Sequence, residues 1–361
     1  MHPPKVMVSY GTRPEIIKVG PLIAELKRRD IPCVTVFTGQ HRELYEDVRE
    51  LVPEPDHRLA IMRGDQSLGD ILSRIATAFV PVLRAERPDL LIVQGDTSTA
   101  AVSALLAFYE RIAVGHVEAG LRTYNLESPF PEEGNRQIVS RLARYNWAPT
   151  EQAAEQLRRE GVSNVFVTGN TVVDACLGFE FPVQYSNQIV ITLHRRENFG
   201  PKMESQFRQL EQLAIEHPEL EFVFPMHPNP NVQRYRPLLS HVRVIPPLSY
   251  PAMVELLSKA RFVISDSGGI QEECAAFGKK ILVCRDTTER PEGVVAGFAR
   301  LVDADIVGNF DWANEDPRWQ GTNPFGDGSA ARRIVDTFCP AVAAADRPLR
   351  GSKPDTLDCA A

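Results

Sequence analysis

The strongest constraint on this chain is an alternation: a short β-branched run, a turn containing Gly or Ser, then a longer stretch whose apolar residues recur every 3.6 positions. Parallel strands need a crossover connection, and a helix is the usual one, so this rhythm implies βαβ units and parallel sheets. The strand runs are KVMVSY (5–10), CVTVFT (33–38), DLLIVQ (89–94), AVGHVE (113–118), NVFVT (164–168), QIVITL (188–193), EFVFPM (221–226), ARFVIS (260–265) and KILVC (280–284). Those between 5 and 168 are expected in one sheet and those between 188 and 284 in a second. The segment TVVDACLGFEFPVQYSN (171–187) mixes Pro, Gly and polar residues without lasting periodicity, which suits an inter-domain connection with a hinge near 170–186. The expected organisation is an N-terminal domain over 1–170, a C-terminal domain over 171–340 and a flexible tail over 341–361, where little could be buried. A length of 361 residues suits two domains at about 150 residues each.

Charge narrows the function. A net charge of −7 gives no footprint for nucleic acid, and none is expected as a partner. No apolar run approaches the roughly 18 residues of a membrane span, and MHPPKVMVSY has no signal-peptide core, so the chain reads as cytoplasmic with no membrane partner. The cysteines Cys33, Cys176, Cys274, Cys284, Cys339 and Cys359 are scattered, without the paired spacing of a zinc site or a disulfide framework.

Ligands of parallel α/β sheets sit beyond the carboxyl ends of the strands, so the residues that follow each run matter most. Gly11-Thr12-Arg13-Pro14-Glu15 follows the first, with Lys18 one turn on, and Arg13 and Lys18 could meet an anion or could simply be solvated. Gly95-Asp96-Thr97-Ser98 follows the third, where Asp96 could be a helix cap. Glu118 ends the next run, and a carboxylate emerging beside Asp96 has no capping explanation. Pro131-Glu132-Glu133-Gly134-Asn135-Arg136 opens a helix with Ile138, Val139 and Leu142 on one face. Acids crowded at one mouth should repel and raise at least one pKa, which suits proton abstraction. In the second half, Ser265-Asp266-Ser267-Gly268-Gly269 ends a run and opens a helix, the best phosphate-site candidate by physics alone. His194 and His227 both fall at strand ends, and Arg285 to Glu292 forms a charged loop.

Together GTRPEIIK, QGDTSTAA, GHVEAGLRT, PFPEEGNR, VTGNTVVDA, HRREN, SDSGGIQEE and RDTTERPEG resemble the non-hydrolysing UDP-N-acetylglucosamine 2-epimerases, in order and spacing, over most of residues 5–335. The resemblance implies an α/β fold of GT-B architecture: two Rossmann-like domains facing across a deep cleft, the last helix crossing back to the N-terminal lobe. It implies Asp96, Glu118, Glu132 and His194 as the catalytic set. Arg13, Lys18, Arg136, Ser267, Gly268, Gly269, Glu273 and Arg290 would bind the UDP-sugar. In many bacterial members a second UDP-N-acetylglucosamine acts as activator, which would involve Gln40, His41, Arg195 and His227; Glu43 and Arg63-Gly64-Asp65-Gln66 depart from the usual pattern there. Where many relatives carry an aromatic beside the uracil this chain has Met253, with Tyr250 the nearby ring.

The implied partners are UDP-N-acetylglucosamine, UDP-N-acetylmannosamine, UDP and a second copy of the chain in a homodimer; no metal or nicotinamide cofactor is implied. Carbon 2 of the sugar lacks an adjacent carbonyl, so the C1–O bond must weaken before the C2 proton can leave. The implied route eliminates UDP to a 2-acetamidoglucal and adds it back after protonation of the opposite face. Other readings are a hydrolysing epimerase that releases N-acetylmannosamine and UDP, an epimerase of another UDP-2-acetamido sugar, a GT-B glycosyltransferase, and a non-catalytic UDP-sugar binder.

Overall fold

A computed structural model of the chain describes residues 3–39, 48, 51–61, 63 and 66–340. The first sheet holds β1 (Val6–Tyr10), β2 (Cys33–Phe37), β3 (His57–Arg58), β4 (Leu90–Gln94), β5 (Ala113–Val117), β6 (Tyr145–Ala148) and β7 (Val165–Val167) in the order β3-β2-β1-β4-β5-β6-β7. The second holds β8 (Gln188–Thr192), β9 (Glu221–Pro225), β10 (Arg243–Ile245), β11 (Phe262–Ser265), β12 (Ile281–Val283) and β13 (Ala299–Leu301) in the order β10-β9-β8-β11-β12-β13. Every pairing within the sheets is parallel, as the sequence rhythm requires. The chain is thus an α/β protein of two domains.

Both sheets reverse their strand order at one place, between β1 and β4 in the first and between β8 and β11 in the second. The loops after those strands diverge and leave a crevice, the usual ligand position in open parallel sheets. They carry Thr12 and Arg13, Asp96, His194, and Ser267. Residues Val6–Tyr10 are buried throughout, which explains why the strand is apolar on both faces except at Ser9, whose hydroxyl is paired with that of Ser103.

Four strands escape the sequence pattern. β3, β10 and β13 have only two or three residues, and β6 reads YNWA, without a β-branched residue. Its place is held by Trp147, which is fully buried and donates Nε1–H to Thr337 Oγ1 at 2.9 Å.

The connection between the sheets also differs from expectation, because its first part, Thr171–Leu177, is a helix. Seven residues are too short a window for a 3.6-residue period to declare itself. Val172, Val173 and Cys176 nevertheless share one core with helix Arg13–Arg28 and with the last described helix, Ala330–Phe338. Asp174 accepts the N–H groups of Ala330 and Ala331 at 3.1 and 2.8 Å, which caps that last helix, and Asp336 on it pairs with Arg29 at 2.6 Å. Among the described residues no helix is long and apolar enough to cross a membrane.

Candidate active site

On the first sheet's side the centre is Glu118, just past β5. Its φ of 65° lies in the left-handed region, which for a side chain of this kind costs on the order of 1–3 kcal/mol and marks a position held by its surroundings. The carboxylate is buried and forms an ion pair with Lys18 through Oε2, while Arg136 lies 3.6 Å from Oε1 and Asn170 Nδ2 donates to Oε2 at 3.2 Å. Burial alone would raise its pKa, but Lys18, Arg136 and Arg290 outweigh it and hold the acid down, to about 2. The expected repulsion among acids therefore does not govern Glu118, because cations are threaded between the carboxylates. The anion that Lys18 meets is this one.

Asp96 is not the helix cap. Thr97 takes that role by accepting the N–H of Ala100, and Asp96 Oδ2 pairs with Arg136 at 2.5 Å. Arg136 thereby stands between Asp96 and Glu118. Asn135 fixes the same loop by donating to the Asp96 carbonyl at 2.8 Å. Glu132 opens helix Glu132–Leu142 and is half-buried, whereas its neighbour Glu133 is buried and accepts the N–H groups of Thr123 and Tyr124 at 2.9 and 3.2 Å. The face expected of that helix is only partly apolar-in: Val139 is buried, Leu142 is half-buried and Ile138 is exposed, because the helix lies at the protein surface on that side.

Below these loops Glu15 is buried. Its Oε2 accepts the Gly11 N–H at 3.1 Å and its Oε1 accepts the Thr97 hydroxyl at 2.9 Å, so one side chain ties the loop after β1 to the loop after β4. Burial outweighs the hydrogen bonds from Thr12, Thr97 and Gly11 and pushes Glu15 up to about 7.

On the second sheet's side Asp266 organises the loop after β8. Its Oδ2 accepts the backbone N–H of His194 at 2.9 Å, that of Arg195 at 2.8 Å and the Asn198 amide at 3.0 Å. The His194 ring stacks on His227 with centroids 5.5 Å apart. Burial, aided by Arg195 and opposed by Asp266, lowers the His194 pKa and favours the neutral ring. Helix Gly268–Ala276 begins without a side-chain cap from Ser267, leaving its first N–H groups open to an anion. A Cβ on Gly268 would lie 2.6 Å from Arg290 Nη1 and 3.6 Å from Arg195 Nη2, so the glycine leaves Arg290 room to stand over the helix start with Arg195 beside it. Arg290 Nε donates to Glu272 Oε1 at 2.8 Å. Burial and the charge of Glu272 raise Glu273 to about 7, and Oε2 of each of these two glutamates is buried without a hydrogen-bond partner among the described residues.

The two sides meet. Arg13 reaches the Leu248 carbonyl at 3.4 Å, Thr150 Oγ1 donates to Glu292 Oε1 at 2.6 Å, and Asn170 contacts both Glu118 and Glu272. Asp96, Glu118, Lys18 and Arg136 thus form one cluster, and Ser267, Gly268, Arg290 and Arg195 a second that touches it through Asn170. Arg195 and His227 lie in this cleft, while Gln40 and His41 fall outside the described residues. Tyr250 is not an open platform for a base: its ring is buried against Phe179 and its hydroxyl lies 3.3 Å from Cys176 Sγ. Glu15, Asn170, Asp266 and Glu272 carry much of the geometry and had no role assigned from sequence. Asn170 lies within VTGNTVVDA, a motif of the resemblance, but its role as a helix cap was hidden in a segment that does not read as helix.

The family model described as UDP-N-acetylglucosamine 2-epimerase matches residues 24–338. A UDP-N-acetylglucosamine 2-epimerase of Salmonella borreze is 42% identical, over 92% of this chain and 98% of its own. A crystal structure of the UDP-GlcNAc 2-epimerase from Neisseria meningitidis bound to UDP-GlcNAc superposes with a TM-score of 0.84 at 40% identity, covering 92% of this chain and 99% of that one. The Methanocaldococcus jannaschii UDP-GlcNAc 2-epimerase in complex with UDP-GlcNAc and UDP gives 0.78 at 31% identity, covering 92% and 99%. A glycotransferase of kitacinnamycin, 15% identical with a TM-score of 0.57 over 93% of this chain and 94% of its own, shares the fold alone, which is the GT-B arrangement.

Proposed function

This chain belongs to the UDP-N-acetylglucosamine 2-epimerase family, and we propose that it interconverts UDP-N-acetylglucosamine and UDP-N-acetylmannosamine by eliminating UDP and adding it back. The observation that carries this reading is the meeting of two opposite clusters in one cleft. One is a carboxylate set with embedded cations, Asp96, Glu118, Lys18 and Arg136; the other is a helix N-terminus under Arg290 and Arg195.

The helix start and the two guanidinium groups take the diphosphate, and their charge makes UDP a better leaving group as the C1–O bond breaks. Glu273, with one oxygen unpaired, accepts from the ribose hydroxyls. Its raised pKa is relieved when two hydroxyls donate to it. His194, a neutral ring, offers its N–H to the departing phosphate. As positive charge grows at C1 the carboxylates of Asp96, Glu118 and Glu132 stabilise it. One of them removes the C2 proton while the C1–O electrons leave with UDP and the C1=C2 bond forms. A second group returns a proton to the other face of C2, and the UDP oxygen closes on C1. Held near 2, Glu118 is fully ionised at neutral pH, which suits it to stabilising the positive charge at C1. We divide the chain at 170/171 into a catalytic lobe and a UDP-binding lobe.

Proton NMR of the protein with UDP-N-acetylglucosamine in heavy water tests the proposal. UDP-N-acetylmannosamine carrying deuterium at C2 is the expected product. Free N-acetylmannosamine with UDP would replace this reading with hydrolysis, and an unchanged spectrum would remove it.

A further inference from the structure

The amide of Asn170 lies where three parts of the molecule converge. It follows β7, the last strand of the first sheet, and immediately precedes helix Thr171–Leu177 on the way to the second sheet. It is buried, and its polar groups are committed. Oδ1 accepts the Val172 N–H at 3.2 Å, the backbone N–H donates to the Phe325 carbonyl at 2.7 Å, and the backbone carbonyl accepts from Val173 at 3.0 Å. Nδ2 then faces two acceptors, Glu118 Oε2 at 3.2 Å and Glu272 Oε1 at 3.1 Å. The orientation is determined by these partners, because a flipped amide would aim its oxygen at two carboxylates and its NH2 at a backbone N–H.

Both hydrogens of one NH2 group are therefore spent on carboxylates from different sheets. Glu118 belongs to the loop after β5, and Glu272 to the helix whose N-terminus is covered by Arg290. Glu272 Oε1 also accepts from Arg290 Nε, so the chain of contacts runs Glu118, Asn170, Glu272, Arg290. Serine could still cap the helix, and aspartate would cap it equally well, but neither could donate to two carboxylates.

We infer that Asn170 is a positioning residue for Glu118, orienting its carboxylate from the inter-sheet connection and coupling it to the Glu272–Arg290 pair beside the anion-binding helix start. The inference rests on the epimerase reading, in which Glu118 acts on the sugar. A carboxylate displaced by about 1 Å loses roughly 100-fold in rate with little change in binding, because its contribution is to alignment in the transition state.

Asn170→Ser and Asn170→Asp both keep the cap and remove the bridge. For each, kcat and KM are measured with UDP-N-acetylglucosamine from pH 5 to 9, together with UDP affinity by calorimetry and the melting temperature. The expected result is a kcat lowered about 100-fold in Asn170→Ser, with KM, UDP affinity and melting temperature near wild type, and at least as large a loss of kcat in Asn170→Asp, which also melts lower because it sets a third carboxylate against Glu118 and Glu272. The rate profile between pH 5 and 9 should keep its shape, because Glu118, faced by Lys18, Arg136, Arg290 and Glu272 and held near 2, stays ionised across that range, so the loss is one of alignment and not of charge. Wild-type kcat in Asn170→Ser overturns the inference. So does a parallel fall of kcat, UDP affinity and melting temperature in Asn170→Ser, which is the mark of a structural cap alone. Failure of the epimerase reading is separate, since it appears as absence of C2 deuteration in the wild-type protein, before any variant is made.

Discussion

Glu15 and Glu118 are two glutamates of the same lobe, each almost fully buried, with relative exposures of 1% and 4%. Their acidities are driven in opposite directions, Glu15 up to about 7 and Glu118 down to about 2. Burial penalises both anions. What separates them is that Glu118 has Lys18 and Arg136 beside it and Arg290 across the cleft, whereas the groups that lower Glu15 are neutral, the N–H groups of Gly11 and Thr12 and the hydroxyls of Thr12 and Thr97. Neutral donors do not offset the loss of water around a carboxylate, and nearby cations do. Lys18 sits one turn beyond Glu15 on the same helix, yet its ammonium is turned to Glu118. A site acid and a scaffold acid can thus share a burial depth, with one helix turn supplying both the scaffold acid and the cation of the site acid, and still differ in charge at neutral pH.

The largest effect expected from breaking this contrast comes from Glu118→Gln. Removing a group that transfers or stabilises charge in the transition state should lower turnover about 1,000-fold, while UDP still binds. The variant also leaves Lys18 buried without its carboxylate, a loss of about 3–5 kcal/mol by analogy with other broken buried pairs. Turnover followed by NMR and melting at pH 7 check both parts; a variant with more than a tenth of wild-type turnover would rule Glu118 out as a catalytic group. The pH sign follows from a folded pKa below the unfolded one. Glu118 contributes stability above about 4.5, and that contribution is lost as pH falls from there toward 2.

Lys18→Met is the next test, because it takes away the cation that pairs directly with Glu118 and does most to hold it down. The carboxylate remains, but burial then counts for more and its pKa rises. The acid limb of kcat/KM should move up by about 1–3 pH units, the range one close charge commonly commands. An acid limb that stays in place would mean that Arg136 and Arg290 suffice, and the contrast with Glu15 would need another cause.

How much of this could be read from the residues depends on whether the signal is local. The parallel sheets were legible because β-branched runs and crossover helices repeat along the chain, and Glu118 was legible because it ends a strand with no cap to make. The helix over Thr171–Leu177 was not, being stabilised by packing against helices Arg13–Arg28 and Ala330–Phe338 from both ends of the sequence. From its place alone Asp96 could equally have been a cap, because Asp is a good one, and only the fold reveals that Thr97 caps and Arg136 takes the aspartate. An upward shift was expected where acids crowd the mouth, but Glu118 there is held down, and Glu15 and Glu273 are the acids pushed up to about 7, by a burial no linear pattern announces.

The smallest of these effects belongs to Glu15, where the slope with pH reverses. A folded pKa near 7 against an ordinary 4.5 means that the folded chain holds a proton which the unfolded chain has released between those values. Stability from this group is therefore greatest below about 4.5, falls as pH rises toward 7, and is flat above. The full cost of ionising it in place is at most about 3 kcal/mol. Glu15→Gln cannot ionise, and its amide reproduces the neutral acid: the oxygen accepts from Gly11 and the NH2 donates to Thr97 Oγ1, whose hydroxyl can turn. Chemical denaturation of both proteins from pH 5 to 8 should give nearly equal stabilities at the acid end, with the variant ahead by a margin that grows up to pH 7 and then levels. A constant difference across that range would show that Glu15 does not titrate there. The window of Glu118 lies below 4.5, so the two acids can be followed in one pH series without overlap.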